Sequence, residues 1–264
     1  MISQITFERL ELFSKRLSQR QKSDPLFCRL YANAACFSPH ALCSLFEVTN
    51  RGKTAGFICV YAQSATACFF KKPNFDELAD FFAFNSSGAK FLEIDTSFAQ
   101  KIRRRLSSKA VFGSAYILKG DAKCFIRDCS VKKTENVKEF FEILKRSSEA
   151  YSDTSFESYY CDYFYRKNLP AELFISEYEG KTVSVAAVLH VFEKLAIISD
   201  VAVLPDFRRR KFGSQLVSEV CRHLKDKGFT PALFCTSPAA EVLYKKIGFK
   251  KSRGFGLLMI KDDF

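Results

Sequence analysis

The sequence predicts an α+β (mixed α/β) fold, a central twisted mixed β-sheet flanked by helices. Three observations predict it. Strand-like and helix-like segments alternate through the second half of the chain. One buried strand there runs through a basic turn straight into a helix. A hairpin pattern from the first half also recurs in the second.

In the first half, Thr54 to Phe70 is a long uncharged stretch. It holds Thr, Gly, Gln and Ser and falls short of a membrane span, so it reads as two strands joined by a turn. Lys71-Lys72-Pro73-Asn74 then precedes a helix over Phe75 to Phe84. Arg103-Arg104-Arg105 is expected late on another helix, where cations suit the dipole. A strand at Ser114 to Leu118 leads to a joint near Lys119-Gly120-Asp121, which divides the chain into domains 1–120 and 121–264.

The second half opens with a strand over 124–132 and a helix over 136–148, whose Val137, Phe140, Phe141 and Leu144 share one face. The Tyr-rich stretch Tyr151 to Arg166 is expected to be helical in part. Strands follow over 172–178, 182–191 and 195–203. The basic loop Pro205 to Lys211 opens a helix over 213–227, with Leu216, Val217, Val220, Cys221 and Leu224 at helical spacing and Gly228 as its stop. A strand at Ala232 to Cys235, a helix over 238–246 and a strand at Leu257 to Ile260 complete the order.

The repeat is local. Leu45-Phe46 followed by Gly52-Lys53-Thr54 returns as Leu173-Phe174 followed by Gly180-Lys181-Thr182, with the same internal spacing. Both copies read as an apolar strand, a glycine turn and a second apolar strand.

Composition narrows the classes. The chain has 264 residues, 47% of them hydrophobic, with 29 Phe and no Trp, which is ample for a core and excludes a disordered chain. Met1 to Arg16 mixes charged and apolar residues and does not read as a secretory signal, so a soluble, cytoplasmic protein is expected. The ten cysteines include no Cys-x-x-Cys pair, several lie in apolar runs, and there are only three His. No metal constellation assembles from these, and the cysteines are expected as buried small hydrophobes in a reducing compartment. A net charge of +12 suggests an anionic partner: nucleic acid, a polyphosphate cofactor or an acidic substrate. No recognised nucleic-acid motif is present, so nucleic acid is not expected, nor is a membrane.

The most informative segment is Val201-Ala202-Val203-Leu204-Pro205-Asp206-Phe207-Arg208-Arg209-Arg210-Lys211-Phe212-Gly213-Ser214. The first amides of a helix lack intrahelical partners and carry its positive dipole end, so they suit an anion. Four consecutive cations crowd that turn, and Gly213 lets backbone approach a ligand closely. The segment resembles the acetyl-CoA-binding motif of the GNAT acetyltransferases: Arg or Gln, two residues, Gly, one residue, then Gly or Ala. Arg208 and Gly213 take the outer positions, while Lys211 replaces the middle glycine.

A second segment, Ser237-Pro238-Ala239-Ala240-Glu241-Val242-Leu243-Tyr244-Lys245-Lys246-Ile247-Gly248-Phe249, opens with a helix cap and ends on glycine. It resembles the second GNAT signature, Asn-x-x-Ala-x-x-Leu-Tyr-x-x-x-Gly-Phe, except that Ser237 stands for Asn. The two segments follow in the family's order, one helix and one strand apart.

The resemblance implies a GNAT fold over the C-terminal half; the local repeat makes the N-terminal half either a degenerate GNAT-like copy in tandem, without the cofactor motif, or an unrelated α/β domain beside it. It implies an acyl-CoA-dependent N-acetyltransferase moving an acetyl group from acetyl-CoA to a primary amine by direct transfer, with coenzyme A as product. By the same resemblance, backbone groups of Val201, Ala202 and Val203 would pair with the pantetheine arm. The loop Arg208, Arg209, Arg210, Lys211, Phe212, Gly213 and Ser214 would cradle the pyrophosphate, and Ser237 would contact the cofactor. Tyr244 would be the general acid that protonates the leaving thiolate, and an amide near the bulged end of strand 195–203 would stabilise the developing oxyanion. The base is less defined. The strand before the second motif, Pro231-Ala232-Leu233-Phe234, holds no acid, which leaves Asp200 as candidate and His190 behind it. The acceptor is a small-molecule or peptide amine. A non-catalytic acyl-CoA-binding or regulatory module is the alternative, favoured by Lys211 and the missing Glu.

Overall fold

A computed structural model describes residues 1–84, 89–106, 108–125, 129–167 and 170–260. Its elements in the first half are β1 (Ile2–Ile5), α1 (Phe7–Ser14), α2 (Gln19–Lys22), α3 (Pro25–Phe37), β2 (Cys43–Asn50), β3 (Lys53–Tyr61), β4 (Ser64–Phe69), α4 (Phe75–Phe84), β5 (Phe91–Asp95), α5 (Thr96–Ile102) and β6 (Lys109–Leu118). The second half supplies β7 (Ser130–Thr134), α6 (Val137–Ser147), α7 (Phe156–Arg166), β8 (Glu172–Tyr178), β9 (Lys181–Phe192), β10 (Leu195–Val203), α8 (Phe212–Asp226), β11 (Thr230–Cys235), α9 (Pro238–Ile247) and β12 (Phe249–Met259).

Two compact units result, one of residues 1–115 with 252–264 and one of residues 116–251. The second unit thus begins ahead of residue 121, and residues 252–260 fall in the first unit. The cause lies in β12, whose residues Phe255 to Met259 pair antiparallel with Asp95 to Phe91 of β5. Arg253 reinforces this through a 2.8 Å bond to Asp95 and an ion pair with Asp24. A Cβ on Gly256 would lie 2.6 Å from that of Ala99, so only glycine lets the strand pack this closely on α5.

In the N-terminal unit β1, β2, β3 and β4 form an antiparallel series, and β4 pairs parallel with β5. In the C-terminal unit β7, β8, β9 and β10 do the same, and β10 pairs parallel with β11. One helix joins each parallel pair: α4 in the first unit and α8 in the second. The strands of each unit therefore pair in a mixed pattern, as expected.

The repeated hairpin is reproduced down to its ladder. Arg51-Gly52 has φ of 51° and 72°, and Glu179-Gly180 has 50° and 72°. Both are two-residue turns with positive φ at each position, which suit the twist of paired strands. The register shifts at Val48/Thr49 in one hairpin and at Ser176/Glu177 in the other, the same place in the repeat.

The C-terminal unit holds two apolar layers. Leu216, Val217, Val220, Cys221 and Leu224 of α8 pack with Ile198, Leu233 and Tyr244 on one side. Phe140, Phe141 and Leu144 of α6 pack with Tyr159, Val185 and Ala202 on another. In the N-terminal unit Leu78 and Phe82 of α4 pack with Ile58, Leu92 and Ile94.

Several boundaries move. The strand expected over 124–132 starts only at Ser130; Cys124, Phe125 and Cys129 are not in a strand, and residues 126–128 lie outside the described residues. Charged residues Lys132 and Lys133 make β7 an edge-type strand rather than an apolar one, which hid its true extent. Arg103-Arg104-Arg105 lies beyond α5, with Arg103 as its C-cap. Residues 261–264 of the expected second domain lie outside the described residues.

None of the ten cysteines is in a disulfide. Six are buried as expected, but Cys124 and Cys161 are exposed, because one lies in a surface connection and the other on the solvent side of α7. Among the described residues no group of His, Cys, Asp and Glu could hold a metal ion, and no helix is long and apolar enough to cross a membrane.

Candidate functional site

β10 is the strand on which the site is built. It pairs with β11 only from Leu195/Thr230 to Ile198/Leu233. Beyond that point the strands stop pairing, although β10 continues to Val203 and β11 to Cys235. The cause is visible on the β9 side, where Ser199 faces Ala187 but Ala202 faces Val185. One extra residue is therefore inserted, and Asp200 absorbs it in the left-handed region at φ 53°. Ser199 to Val203 thus present backbone donors and acceptors that β11 does not use. Such groups need a partner, and an extended ligand running along the strand is one that could supply it.

The turn after β10 tests whether an anion fits there. Pro205–Phe207 forms one short 3-10 turn, and α8 then begins with Lys211 as N-cap at φ 67° and ψ 2°. No side chain caps α8. The contrast with α6, capped by Asn136, and α9, capped by Ser237, is direct. The first amides of α8 are left for an external acceptor at the positive end of a four-turn helix. Gly213 lets α8 pack closely on its neighbours: a Cβ there would lie 3.1 Å from Val203 and 3.6 Å from Leu243. That packing also joins the first motif to the second.

The four cations of the turn have different tasks. Arg208 reaches back, its Nε donating to Val203 O at 3.2 Å and its Nη2 to Ser147 O at 2.7 Å. It ties the end of β10 to the C-terminus of α6, where a cation meets the negative end of the dipole. Arg210 lies over three rings, 5.2 Å from Tyr178, 5.2 Å from Phe207 and 5.4 Å from Phe212. Such stacking holds a guanidinium in place. Arg209 and Lys211 are exposed, and both backbones are left-handed, at φ 62° and 67°. Lys211 therefore occupies the conformation that the motif's glycine would occupy freely, at a cost of about 1–2 kcal/mol.

Tyr244, on α9, is buried in the layer that also holds Cys221, Cys235 and Ile198. Burial, with Cys235 and Cys221 adding to it, pushes its phenol well above the usual tyrosine range. The phenol is therefore protonated at neutral pH. The Ser237 hydroxyl accepts from Ala240 N at 3.4 Å, so its first task is to cap α9. Ser214, in the first turn of α8, gives its carbonyl to the Ser218 hydroxyl at 2.7 Å.

Asp200 turns toward the layer of α6 and α7. One oxygen accepts from the Tyr151 hydroxyl at 2.6 Å and the other from the Tyr159 hydroxyl at 2.9 Å. Burial raises its carboxyl above the usual range, and the two phenols work against that rise. Tyr159 in turn is driven well upward by burial and by the Asp200 charge. Nearby, Arg166 forms two bonds to Asp162, at 2.7 and 3.2 Å, and donates to His190 Nε2 at 3.1 Å. The His190 lone pair is thus committed to a guanidinium rather than to a substrate proton.

Tyr151, Tyr159 and Arg166 are the residues that sequence reasoning passed over. The Tyr-rich stretch was visible, but nothing in it pointed at a carboxylate over forty residues away. The four-residue spacing of Asp162 and Arg166 is the one signal that could have pointed to an ion pair on one helix face.

Residues 137–249 match the acetyltransferase (GNAT) family. No curated protein matches the chain. Among solved structures, the fold is similar to a GNAT-family acetyltransferase from Colwellia psychrerythraea, with 16% identity, TM-score 0.61 and coverage of 99% of this chain and 100% of the other. A Drosophila protein aligns at TM-score 0.71 with 11% identity, covering 100% and 99%. A tandem GNAT protein from the clavulanic acid biosynthesis pathway aligns at TM-score 0.63 with 10% identity, covering 98% and 97%. At these identities the likeness is one of fold, and it extends across both units.

Proposed function

We propose that this chain is an acyl-CoA-dependent N-acetyltransferase that moves an acetyl group from acetyl-CoA to a primary amine by direct transfer in a ternary complex, a reading supported by the match of residues 137–249 to the acetyltransferase (GNAT) family. The observation that carries the reading is the parting of β10 from β11 at a bulge, directly before a helix whose first amides are uncapped. An extended arm ending in a pyrophosphate matches both halves of that feature.

Acetyl-CoA supplies the activated acyl thioester. Val201, Ala202 and Val203 bind its arm through backbone groups, in the manner of an added strand. The amides from Arg209 to Ser214 receive the pyrophosphate, and Arg209 and Lys211 add positive charge from the exposed side of the turn. Arg208 and Arg210 act at one remove, holding the turn to α6 and to its aromatic neighbours. Ser237 offers a hydroxyl beside the second motif. Tyr244 holds a proton that burial prevents it from losing to solvent, and it delivers that proton to the leaving sulfur.

Asp200 is the candidate to take the proton of the acceptor amine. Its raised basicity suits the task, but both its oxygens already accept from phenols, so a proton reaches it by way of the Tyr151 or Tyr159 hydroxyl. The same saturation, together with Lys211 in a glycine conformation, favours the second reading, a module that binds acyl-CoA without turnover. Ten cysteines without a disulfide suit a reducing, cytoplasmic setting for either.

Thiol release from acetyl-CoA, measured across a panel of small primary amines and peptides, separates the two. The enzyme reading expects release that depends on the amine and falls at least about tenfold in Tyr244→Phe. Acetyl-CoA binding with no amine-dependent release would establish the second reading instead.

A further inference from the structure

The N-terminal unit carries a feature that the acetyltransferase reading does not use. A cleft of about 800 Å³ lies between the tip of the β2–β3 hairpin and the connection from β4 to α4. Its walls carry Arg51, Lys53, Lys71, Lys72 and Arg105 against one acid, Asp76. Asp76 is already paired with Arg105. Arg51, Lys53, Lys71 and Lys72 have no carboxylate partner among the described residues.

The cleft is built rather than incidental. The Asn50 side chain donates to Lys72 O at 2.9 Å, which fixes the lysine pair beside the hairpin tip. Lys72 and Lys101 both lie near the Phe75 ring, at 5.9 and 4.9 Å. Concentrating like charges without counter-charges costs stability through mutual repulsion, and an anion in the cleft relieves that cost.

The position is also informative. In the C-terminal unit the corresponding hairpin ends on Tyr178 and turns at Glu179, and Arg210 of the following strand–helix turn stacks on Tyr178. In the N-terminal unit the same two features, hairpin tip and strand–helix turn, enclose open space lined with cations. The chemistry of capture differs. Asn74 caps α4 by accepting from Asp76 N at 3.1 Å, and Asp76 and Glu77 occupy its first turn. No left-handed residue lies in the turn among the described residues. The helix end is closed to an anion, so recognition falls to the flexible ammonium and guanidinium groups.

We infer that this cleft binds a small molecule bearing at least two phosphate groups, at a site separate from the acyl-CoA site. Four uncompensated cations around a concave space match a compact polyanion better than a single monoanion. The concavity favours a small ligand over a nucleic-acid strand, which tracks an extended groove.

The test uses the full-length protein and inorganic tripolyphosphate, followed by titration calorimetry at low salt. The Lys71→Glu, Lys72→Glu double variant should weaken binding by at least about tenfold, and Arg51→Glu should weaken it in the same direction. All three side chains are exposed, and unchanged thermal unfolding of each variant shows that loss of binding is not loss of fold. Binding should survive Arg209→Glu, which alters only the C-terminal turn. Binding that is absent in the wild type, unchanged in both variants, or lost in Arg209→Glu alone would overturn the inference. Tighter binding of a single-stranded oligouridylate through the same lysines would overturn the small-ligand class.

Discussion

Lys211→Gly is the substitution whose effect the geometry sets most directly. Lys211 is the N-cap of α8 at φ 67° and ψ 2°, it is exposed, and it makes no capping hydrogen bond. Holding a side chain in that conformation costs about 1–2 kcal/mol. Glycine adopts it without that cost but loses about 0.5–1 kcal/mol through the greater freedom of its unfolded state. The difference is a net stabilisation of about 0.5–1 kcal/mol. For a chain of this size that corresponds to roughly 1–4 °C in Tm. Lys211→Ala is the control, because alanine keeps the Cβ that causes the strain and should change stability little. Thermal unfolding of the three proteins without ligand decides the matter. A glycine variant no more stable than wild type, or an alanine variant stabilised equally, would refute the assignment of strain to this residue.

Other outcomes follow from the same geometry. Arg208→Ala removes bonds to Val203 O and Ser147 O and should cost about 1–2 kcal/mol in denaturant unfolding, with KM for acetyl-CoA rising more than kcat falls. Asp200→Asn removes a carboxylate whose ionisation burial opposes, so its stability relative to wild type should be greatest near pH 7 and should shrink as acid protonates Asp200 in the wild type. For Glu172, burial works to raise the carboxyl, but bonds from Lys133, Lys227 and His223 outweigh it and hold the pKa at about 2. Its contribution is therefore present above the ordinary Glu range and lost as pH falls toward 2, and Glu172→Gln should lower Tm at pH 7 but not at the acid end.

Much of the C-terminal unit was legible because its apolar residues keep a clear period. α8 and α9 came within a residue or two of their observed bounds, since each has a helical stripe and a glycine or proline stop. β7 was misplaced because its pattern is mostly polar, with one apolar residue in five. The site was legible in its location but not in its division of labour. Arg208, Arg209, Arg210 and Lys211 are one run of cations on paper, and only the fold sends one to backbone carbonyls and another onto aromatic rings. The Asp200 bulge was hidden for a different reason. A left-handed residue inside a strand leaves no periodic trace, and Asp is merely one of the residues that tolerates it. The phenols that saturate Asp200 come from a segment whose sequence neighbours say nothing about β10.

The most direct test of the central claim is thermal unfolding of the wild type and of Arg209→Glu with increasing acetyl-CoA. A ligand held by the folded state alone stabilises by about 2.7 kcal/mol at a hundredfold excess over Kd. The account predicts a wild-type rise of roughly 5–10 °C under those conditions and a much smaller one in the variant. No rise at millimolar acetyl-CoA, or an equal rise in both proteins, would contradict the placement of acyl-CoA at the parting of β10 and β11 and the α8 turn.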